Sequence, residues 1–452
     1  MSALAVGFIG AWLLAFTLHV SFFGRYGLGD DLHDGFVKAS QSLFVGICVI
    51  AWFTHKGHYR MRMPFWTETK QVISAMSFAM LIDIFFRFIV KQDFSRLWMI
   101  SGWVLATIGI LCFRSLWRST KCKQGTWDVA TLLVGRGEPA EEARRALASE
   151  PALGFDITTQ IDDLPTAFRQ AGYSWQTLCA MHKTDYVIFA LDGTDLMHTE
   201  QAFTQLLREN IPFSVSPPLR NAPVLGMVPH YFFNHDVMLL THNHGLSHKV
   251  PRFIKRSFDI VVSSIALLVL SPLLVTIILL VNKDGGAAFF KQKRLGLNGR
   301  TFYCLKFRSM VLNSDHILMQ HLNAHPEIQA EWQTYKKLRN GDPRVTHIGK
   351  FLRSKSLDEL PQLINVLKGD MSLVGPRPIL LVELDEYGND VSHYYRVRPG
   401  ITGLWQVSGR NNVSYAQRVE MDSWYVRNWS LWHDIAIICK TFPVVFKRDG
   451  AY

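Results

Sequence analysis

Two adjacent carboxylates, Asp358 and Glu359, lie in the most basic half of the chain. Nearby cations lower the pKa of a carboxylate and keep it ionised, as a nucleophile or a metal ligand requires. Adjacent acids are also common on solvated helix faces, so the pair by itself has a second, structural explanation. Its surroundings favour chemistry, because prolines fix a turn that can present Arg377, and a planar guanidinium is the bidentate partner of phosphate.

The distribution of charge narrows the class of protein. The net charge is +11, and the basic residues concentrate at 251–310, on both sides of a long apolar segment, and at 336–355, after it. Such a stripe suits phosphates and anionic lipid head groups. Nucleic-acid binding would use the same charge, but no stacking platform of aromatic residues is recognisable, which disfavours it. Six cysteines without a CxxC pattern argue against a disulfide framework or a zinc site.

The apolar segment at 260–281 is long enough to cross a bilayer of about 30 Å, yet two features argue against crossing. Both of its flanks are basic, whereas a spanning helix should have asymmetric flanks. Ser271-Pro272 lies at its middle, where proline clashes with the carbonyl of Leu268 and removes an amide N–H. The Ser271 hydroxyl can bond to backbone groups that such a break frees. We therefore expect a re-entrant helix hairpin over 259–282, with a kinked spanning helix as the alternative.

The N-terminal region predicts a membrane bundle. Four charge-poor segments are typical of transmembrane helices, at 3–23, 36–54, 72–92 and 97–113. Basic residues follow the second and fourth segments, which places both ends of the bundle in the cytoplasm by the positive-inside rule. In the third segment Asp83 and Arg87 are one helical turn apart, which predicts a structural ion pair facing neighbouring helices rather than a substrate or ion pathway.

Residues 121–250 predict a small soluble Rossmann-like α/β domain and a loop-rich linker. Val129–Val134 is an apolar, strand-like run. Gly135, Gly137 and Ala140, which follow this run, fit a loose G-x-G-x-x-A nucleotide-binding fingerprint. We favour a structural βα turn for this motif, with a bound nucleotide as the alternative.

The motifs of residues 251–452 resemble the bacterial sugar transferase family, also called monotopic phosphoglycosyl transferases. The blocks that carry the resemblance are Lys255-Arg256-x-x-Asp259, Ser271-Pro272, FKQKRLG at 290–296, KFRSM at 306–310, Asp358-Glu359-Leu360-Pro361-Gln362, Arg377-Pro378, PGITGLWQ at 399–406 and Ser408-Gly409-Arg410. The upstream spans and α/β domain make the chain similar to the larger members, which initiate O-antigen, capsule or exopolysaccharide synthesis on undecaprenyl phosphate.

The resemblance implies roles for individual residues. Asp358 would attack the β-phosphorus of a UDP-sugar, UMP would leave, and the phosphosugar held on the carboxylate would pass to undecaprenyl phosphate. Glu359, together with Asp358, would hold Mg²⁺. The candidate phosphate contacts are cationic and comprise Lys306, Arg308, Arg353 and Arg377. The candidate residues of the membrane hairpin, of which the first three would anchor it at the interface, are Lys255, Arg256, Asp259, Ser271 and Pro272.

The sequence thus predicts an α+β, multi-pass protein of the bacterial inner membrane. It would combine a four-helix transmembrane bundle (1–120), a Rossmann-like domain (121–250) and a mainly helical, cytoplasmic catalytic domain (251–452). Its predicted partners are a UDP-sugar, undecaprenyl phosphate and the bilayer, without nucleic acid and with a homo-oligomer left open. Galactose-1-phosphate is the predicted cargo and glucose-1-phosphate the alternative. A non-catalytic membrane scaffold is the rival class, which the intact carboxylates and Arg377 oppose.

Overall fold

The computed structural model describes residues 32–59, 61–89, 96–192, 200–217, 219, 227–231, 238–242, 246, 249–324, 329, 338, 342–408 and 413–446. The chain divides into two compact units, Met1–Pro218 and Leu219–Tyr452. Helices and a small parallel sheet both occur, in agreement with the mixed fold expected from the sequence. The division into three domains stays a prediction.

The first helices of unit one are α1 (Leu32–His55), α2 (Phe65–Ile89) and α3 (Arg96–Lys123). Helix α2, and α3 from Met99 onward, are long and apolar enough to cross a membrane, while the described apolar part of α1, Phe44–His55, is shorter. The predicted span at 3–23 lies outside the described residues. The four-helix count therefore stays a prediction.

The three helices pack on one another through a shared apolar core. Its buried members are Val45, Val49, Phe53, Val72, Met76, Ala79, Ala106 and Ile110. Asp83 and Arg87 are also buried and pair at 3.0 Å. The indole of Trp103, on α3, donates to Asp83 at 3.1 Å. These contacts confirm the predicted structural pair, since charges inside a membrane bundle are tolerated where each has a partner.

The rest of unit one is a parallel sheet of order β2-β1-β3-β4. Its strands are β1 (Val129–Val134), β2 (Phe155–Ile161), β3 (Tyr186–Phe189) and β4 (Phe213–Val215). The helices between and beside them are α4 (Gly137–Ser149), α5 (Leu164–Gln170), α6 (Trp175–His182) and α7 (Glu200–Arg208). Leu132 and Val134 pack in one apolar cluster and Leu133 in another, because successive side chains of β1 point to opposite, covered faces of the sheet.

The first glycine of the loose fingerprint has a packing role. Gly135 follows β1, and a Cβ at this position would collide with the carbonyl oxygen of Ala190, just beyond β3. Its φ of +146° also favours glycine. This close approach supports the structural interpretation of the βα turn.

Arg62, in the loop between α1 and α2, joins the helices of unit one to the segments that lead into strands β1 and β2. Its guanidinium donates to the carbonyls of Leu153 at 2.6 Å and Trp127 at 2.8 Å. It also lies 4.8 Å from the centre of the Trp127 ring, where a cation–π attraction adds to the hydrogen bonds. The basic loop and the sheet are therefore at the same end of the helices.

Unit two begins with an antiparallel pair, β5 (Met227–Tyr231) and β6 (Met238–His242), within the segment that we expected to be a loop-rich linker. The remaining elements are α8 (Lys249–Val281), β7 (Phe289–Leu295), β8 (Thr301–Phe307), α9 (Ser314–Ala324), α10 (His347–Ser354), α11 (Gln362–Lys368), β9 (Ser372–Val374), α12 (Val391–Tyr394), β10 (Gly400–Thr402), α13 (Leu404–Ser408), α14 (Tyr415–Arg427) and α15 (Leu431–Phe446). Strands β7 and β8 form an antiparallel hairpin, and β9 pairs with β10 in parallel.

The long apolar segment forms α8, a helix of 33 residues with Pro272 inside it. The Ser271 hydroxyl donates to the carbonyl of Leu268 at 2.7 Å, which is the acceptor that Pro272 leaves without its usual amide partner. The local chemistry expected at the proline is therefore present. The helix continues through Pro272, so the hairpin itself stays a prediction.

Candidate active site

Asp358 and Glu359, the carboxylate pair, lie in a short turn between α10 and α11. This turn, Leu357–Glu359, is a 3₁₀ helix. Ser356, just before it, has φ of +55°, a left-handed conformation that redirects the chain. Leu357 and Leu360 pack against the apolar cluster that contains Phe307 of β8. The turn is thus held on β8 by its apolar side chains while its carboxylates remain half-buried.

Lys306, on β8, is the direct cationic partner of the pair. Its ammonium donates to Oε1 of Glu359 at 2.6 Å. Burial by itself would raise the pKa of Glu359, but Lys306, with help from the charges of Arg377 and Arg294, outweighs burial and leaves that pKa below its usual value. Glu359 is therefore held as an anion, as the sequence predicts.

Asp358 behaves differently from its neighbour. Burial and the charge of Glu359 raise the pKa of Asp358, and the opposing charges of Lys306 and Arg353 do not cancel this effect. The expectation that nearby cations lower the pKa of both carboxylates is therefore wrong for Asp358, because burial and the like charge of its immediate neighbour outweigh them. Paired acids whose pKa values are pushed apart are typical of sites in which the two have different roles.

Arg353, on α10, is held near the Asp358-Glu359 pair by its contact with the segment just after β8. Its Nε donates to the hydroxyl of Ser309 at 2.8 Å. Helix α10 approaches this strand end so closely that a Cβ at Gly349 would collide with the carbonyl oxygen of Ser309. Glycine at this position therefore allows α10 to bring Arg353 to the site.

Arg308 is bound mainly to backbone. Its guanidinium donates to the carbonyls of Ala287 at 2.8 Å and Val281 at 2.9 Å. These bonds tie the end of α8 to β8, a structural role that the sequence did not predict. A phosphate contact by Arg308 stays a prediction.

Arg377 is exposed and lies 5.9 Å from the centre of the buried Trp405 ring. Arg418, on α14, lies 4.7 Å from the same ring. Arg294 is buried and donates to the carbonyl of Pro378 at 3.0 Å, which fixes the turn that presents Arg377. Neither Arg294 nor Arg418 was among the expected site residues, although Arg294 belongs to the FKQKRLG block.

Lys255, Arg256 and Asp259 all contact protein groups, and their role in anchoring the hairpin at the membrane interface stays a prediction. Lys255 is buried and donates to Asp434 of α15 at 2.7 Å. Asp259 accepts from the backbone N–H of Leu373 at 3.2 Å, and Arg256 donates to carbonyls at the end of α11. A buried charge is costly without such partners, so these residues fasten α8 to the catalytic unit.

The donor set is compatible with a magnesium ion that binds together with substrate. Among the described residues, no group of three or more His, Cys, Asp or Glu side chains could hold a metal. Mg²⁺ is commonly bound by one or two carboxylates, with substrate phosphates and water completing its shell. Asp358 and Glu359 are a donor set of this kind.

Comparison with known proteins agrees with the site. Residues 250–448 match the bacterial sugar transferase family and residues 54–211 match a CoA-binding domain. The UDP-galactose-lipid carrier transferase of Erwinia amylovora is 40% identical over 98% of this chain and 94% of its own. The undecaprenyl-phosphate galactose phosphotransferase of Salmonella typhimurium is 41% identical over 90% of this chain and 87% of its own. The exopolysaccharide production protein ExoY of Rhizobium meliloti is 51% identical over 44% of this chain and 88% of its own.

The chain therefore belongs to the bacterial sugar transferase family. It is an enzyme, a phosphoglycosyl transferase, and its apolar helices make it a membrane protein. The resemblance stated from the sequence motifs is confirmed.

Replacing Lys306 by glutamine tests its pairing with Glu359. The folded-state pKa of Glu359 is lowered, so the stabilisation from its ionisation is present above its unfolded pKa and is lost as pH falls through the folded value. We expect Lys306→Gln to lower the melting temperature in detergent at about pH 7, and the difference from wild type to shrink towards about pH 4. The exposed Lys350→Gln is the matched control. An equal loss at every pH would contradict the pairing.

Proposed function

We propose that this enzyme transfers galactose-1-phosphate from UDP-galactose to undecaprenyl phosphate and releases UMP. The observation that carries the proposal is the Asp358-Glu359 pair with Lys306 at 2.6 Å from Glu359, inside the region that matches the sugar transferase family. The names of the Erwinia amylovora and Salmonella typhimurium relatives supply the donor sugar and the carrier. The phosphates of donor and carrier suit the chemistry of a site that combines carboxylates with cations.

We propose Asp358 as the nucleophile. Its carboxylate oxygen would form a bond to the β-phosphorus, and the bond from that phosphorus to the bridging oxygen of UMP would break. The phosphate oxygen of the carrier would then attack the same phosphorus, and the Asp358 carboxylate would leave. A covalent intermediate lets a soluble donor and a membrane-bound acceptor use one site in turn. The raised pKa of Asp358 beside the anionic Glu359 supports separate roles for the two carboxylates.

Phosphoryl transfer between anionic groups depends on neutralising charge. The cations proposed to contact the phosphates are Lys306, Arg308, Arg353 and Arg377. Arg377 is the most accessible of them. We propose that Glu359 and Asp358 hold Mg²⁺, which when bound would neutralise negative charge on the donor's diphosphate.

We further propose that α8 enters one leaflet of the bilayer and does not cross it. Phe258 and Val262, in its first half, pack against the cluster that contains Cys304, whereas Ile277, in its second half, packs in the cluster that contains Phe307. Cys304 and Phe307 are three residues apart on β8, about 10 Å along the strand. A crossing helix would separate its two ends by about 30 Å of hydrocarbon.

The exposed middle of α8 would then lie in lipid. Leu268 and Val269 are 76% and 68% exposed, next to the Ser271-Pro272 step. With the segment 3–23 as the first of four spans, the basic loop containing Arg62 would place the sheet and the catalytic unit on the cytoplasmic face of the inner membrane. The hydrogen bonds from Arg62 to the carbonyls of Leu153 and Trp127, just before β2 and β1, support this orientation. A homo-oligomer stays a prediction.

Release of UMP tests the reaction. We expect purified protein with UDP-galactose, Mg²⁺ and undecaprenyl phosphate to release UMP, and Asp358→Asn to lose activity about a thousandfold or more, because an amide cannot form the phosphosugar intermediate. The exposed Asp385→Asn is the control for loss of one acid. UDP-glucose is assayed in parallel. Turnover with UDP-glucose but not with UDP-galactose would mean that the enzyme transfers glucose-1-phosphate in place of galactose-1-phosphate. No UMP from any UDP-sugar by folded protein would contradict the transferase.

Labelling of single cysteines tests the course of α8. In a variant whose native cysteines are replaced by serine, Lys249→Cys and Lys283→Cys mark the two ends of the helix region, and both positions are exposed. We expect a membrane-impermeant maleimide to label both in inside-out vesicles and neither in right-side-out vesicles. Labelling of the two positions from opposite sides would establish a kinked spanning helix instead.

A further inference from the structure

The turn that presents Arg377 is fixed by its backbone. This segment, Gly375–Ile379, is named the Arg377 loop. Its backbone bonds come from neighbouring strands and side chains: Gly375 N–H to Thr402 O (3.0 Å), Gly400 N–H to Pro376 O (2.8 Å), Arg294 Nη1 to Pro378 O (3.0 Å), Ile379 N–H to Tyr394 Oη (3.2 Å) and Leu295 N–H to Ile379 O (3.0 Å). Both ends of the loop are therefore held, and the Arg377 side chain extends from between them.

Asp422, on α14, holds the Arg377 loop at its centre, Arg377. Its carboxylate accepts the backbone N–H of Arg377 and is 3% exposed. Its Oδ2 also accepts the hydroxyl of Tyr387 at 2.8 Å. Asp422 is thus a buried acid whose protein partners are a neutral phenol and the residue that we propose for phosphate binding.

The same helix also contacts the Arg377 side chain indirectly. Arg418 lies one helical turn before Asp422, and its guanidinium covers the Trp405 ring at 4.7 Å. Arg377 lies at 5.9 Å from that ring, and its charge lowers the pKa of Glu359. Helix α14 therefore holds the backbone of Arg377 through Asp422. Its Arg418 also lies against the Trp405 ring that the Arg377 guanidinium approaches.

We propose that Asp422 is a positioning residue for phosphoglycosyl transfer, whose ionised carboxylate holds and attracts Arg377 so that the guanidinium meets the donor's phosphates. The proposal rests on the proposed function, since it concerns how the same site binds its donor. Asp422 itself does not touch substrate and acts through Arg377. The intact carboxylate is thereby required for full activity.

The environment of Asp422 makes the positioning of Arg377 depend on pH. Burial raises the pKa of Asp422 to about 7, although the Tyr387 hydroxyl and Arg377 both lower it. Its charge also reaches three phenols that are neutral at this pH: Tyr394, Tyr415 and Tyr425. Asp422 therefore changes charge near neutrality, and kcat/KM for UMP release should rise as it ionises.

The pH dependence of kcat/KM in Tyr387→Phe is the decisive measurement. Losing the hydroxyl removes a bond that lowers the pKa of Asp422, so we expect the acidic limb to move to higher pH. Asp358 also has a raised pKa, but Tyr387 is not among the groups that shift it, so a limb due to Asp358 would stay in place. The exposed Tyr303→Phe removes a hydroxyl elsewhere and should leave the profile unchanged.

Asp422→Asn provides the second variant. The amide keeps the shape of the side chain and an oxygen for the Arg377 N–H but lacks the charge, so we expect kcat/KM to fall about tenfold above neutrality and the limb to disappear. A Tyr387→Phe limb that does not move, in an enzyme that releases UMP, would overturn the positioning role. Absence of UMP release by wild type at every pH would instead overturn the proposed function, and the two failures are therefore distinguishable.

Discussion

The structure of the catalytic unit depends on one electrostatic constraint, which is that two adjacent carboxylates must remain in a half-buried site built for an anionic substrate. Lys306 meets this constraint for Glu359 through a bond of 2.6 Å, whereas burial, together with the charge of Glu359, raises the pKa of Asp358. The surrounding elements bring cations to this point. Strand β8 carries Lys306, and α10 carries Arg353. Charge neutralisation of this kind is the main contribution that a protein makes to phosphoryl transfer.

The membrane helix is part of the same arrangement and not a separate anchor. Lys255 and Asp259 are buried and bonded to α15 and β9, and Arg308 binds the carbonyl of Val281 at the other end of α8. Each half of α8 therefore packs on the unit that carries the carboxylates. On the proposed one-leaflet course of α8, a carrier lipid in that leaflet would present its phosphate at the face where a soluble nucleotide sugar can also arrive.

The sequence predicts the local features well and the long-range ones poorly. The Asp83–Arg87 pair and the Ser271 bond to Leu268 follow from helical spacing and proline chemistry. The Lys255–Asp434 bond joins residues 179 positions apart, and no local pattern indicates it. Arg308 has a phosphate-binding residue type but bonds to backbone carbonyls, because only the fold decides which acceptors a guanidinium reaches. The pKa of Asp358 depends on burial and on its neighbour's charge, which composition cannot weigh.

The central claim is that Asp358 carries the phosphosugar between donor and carrier. The most direct test is to incubate the protein with UDP-galactose in the absence of undecaprenyl phosphate, to stop and digest it in acid, and to measure the mass of the peptide that contains Asp358. The account predicts a peptide heavier by one hexose phosphate, which disappears when the carrier is added and is absent from Asp358→Asn. Release of UMP with the adduct on another residue, or with none at all, would contradict the account.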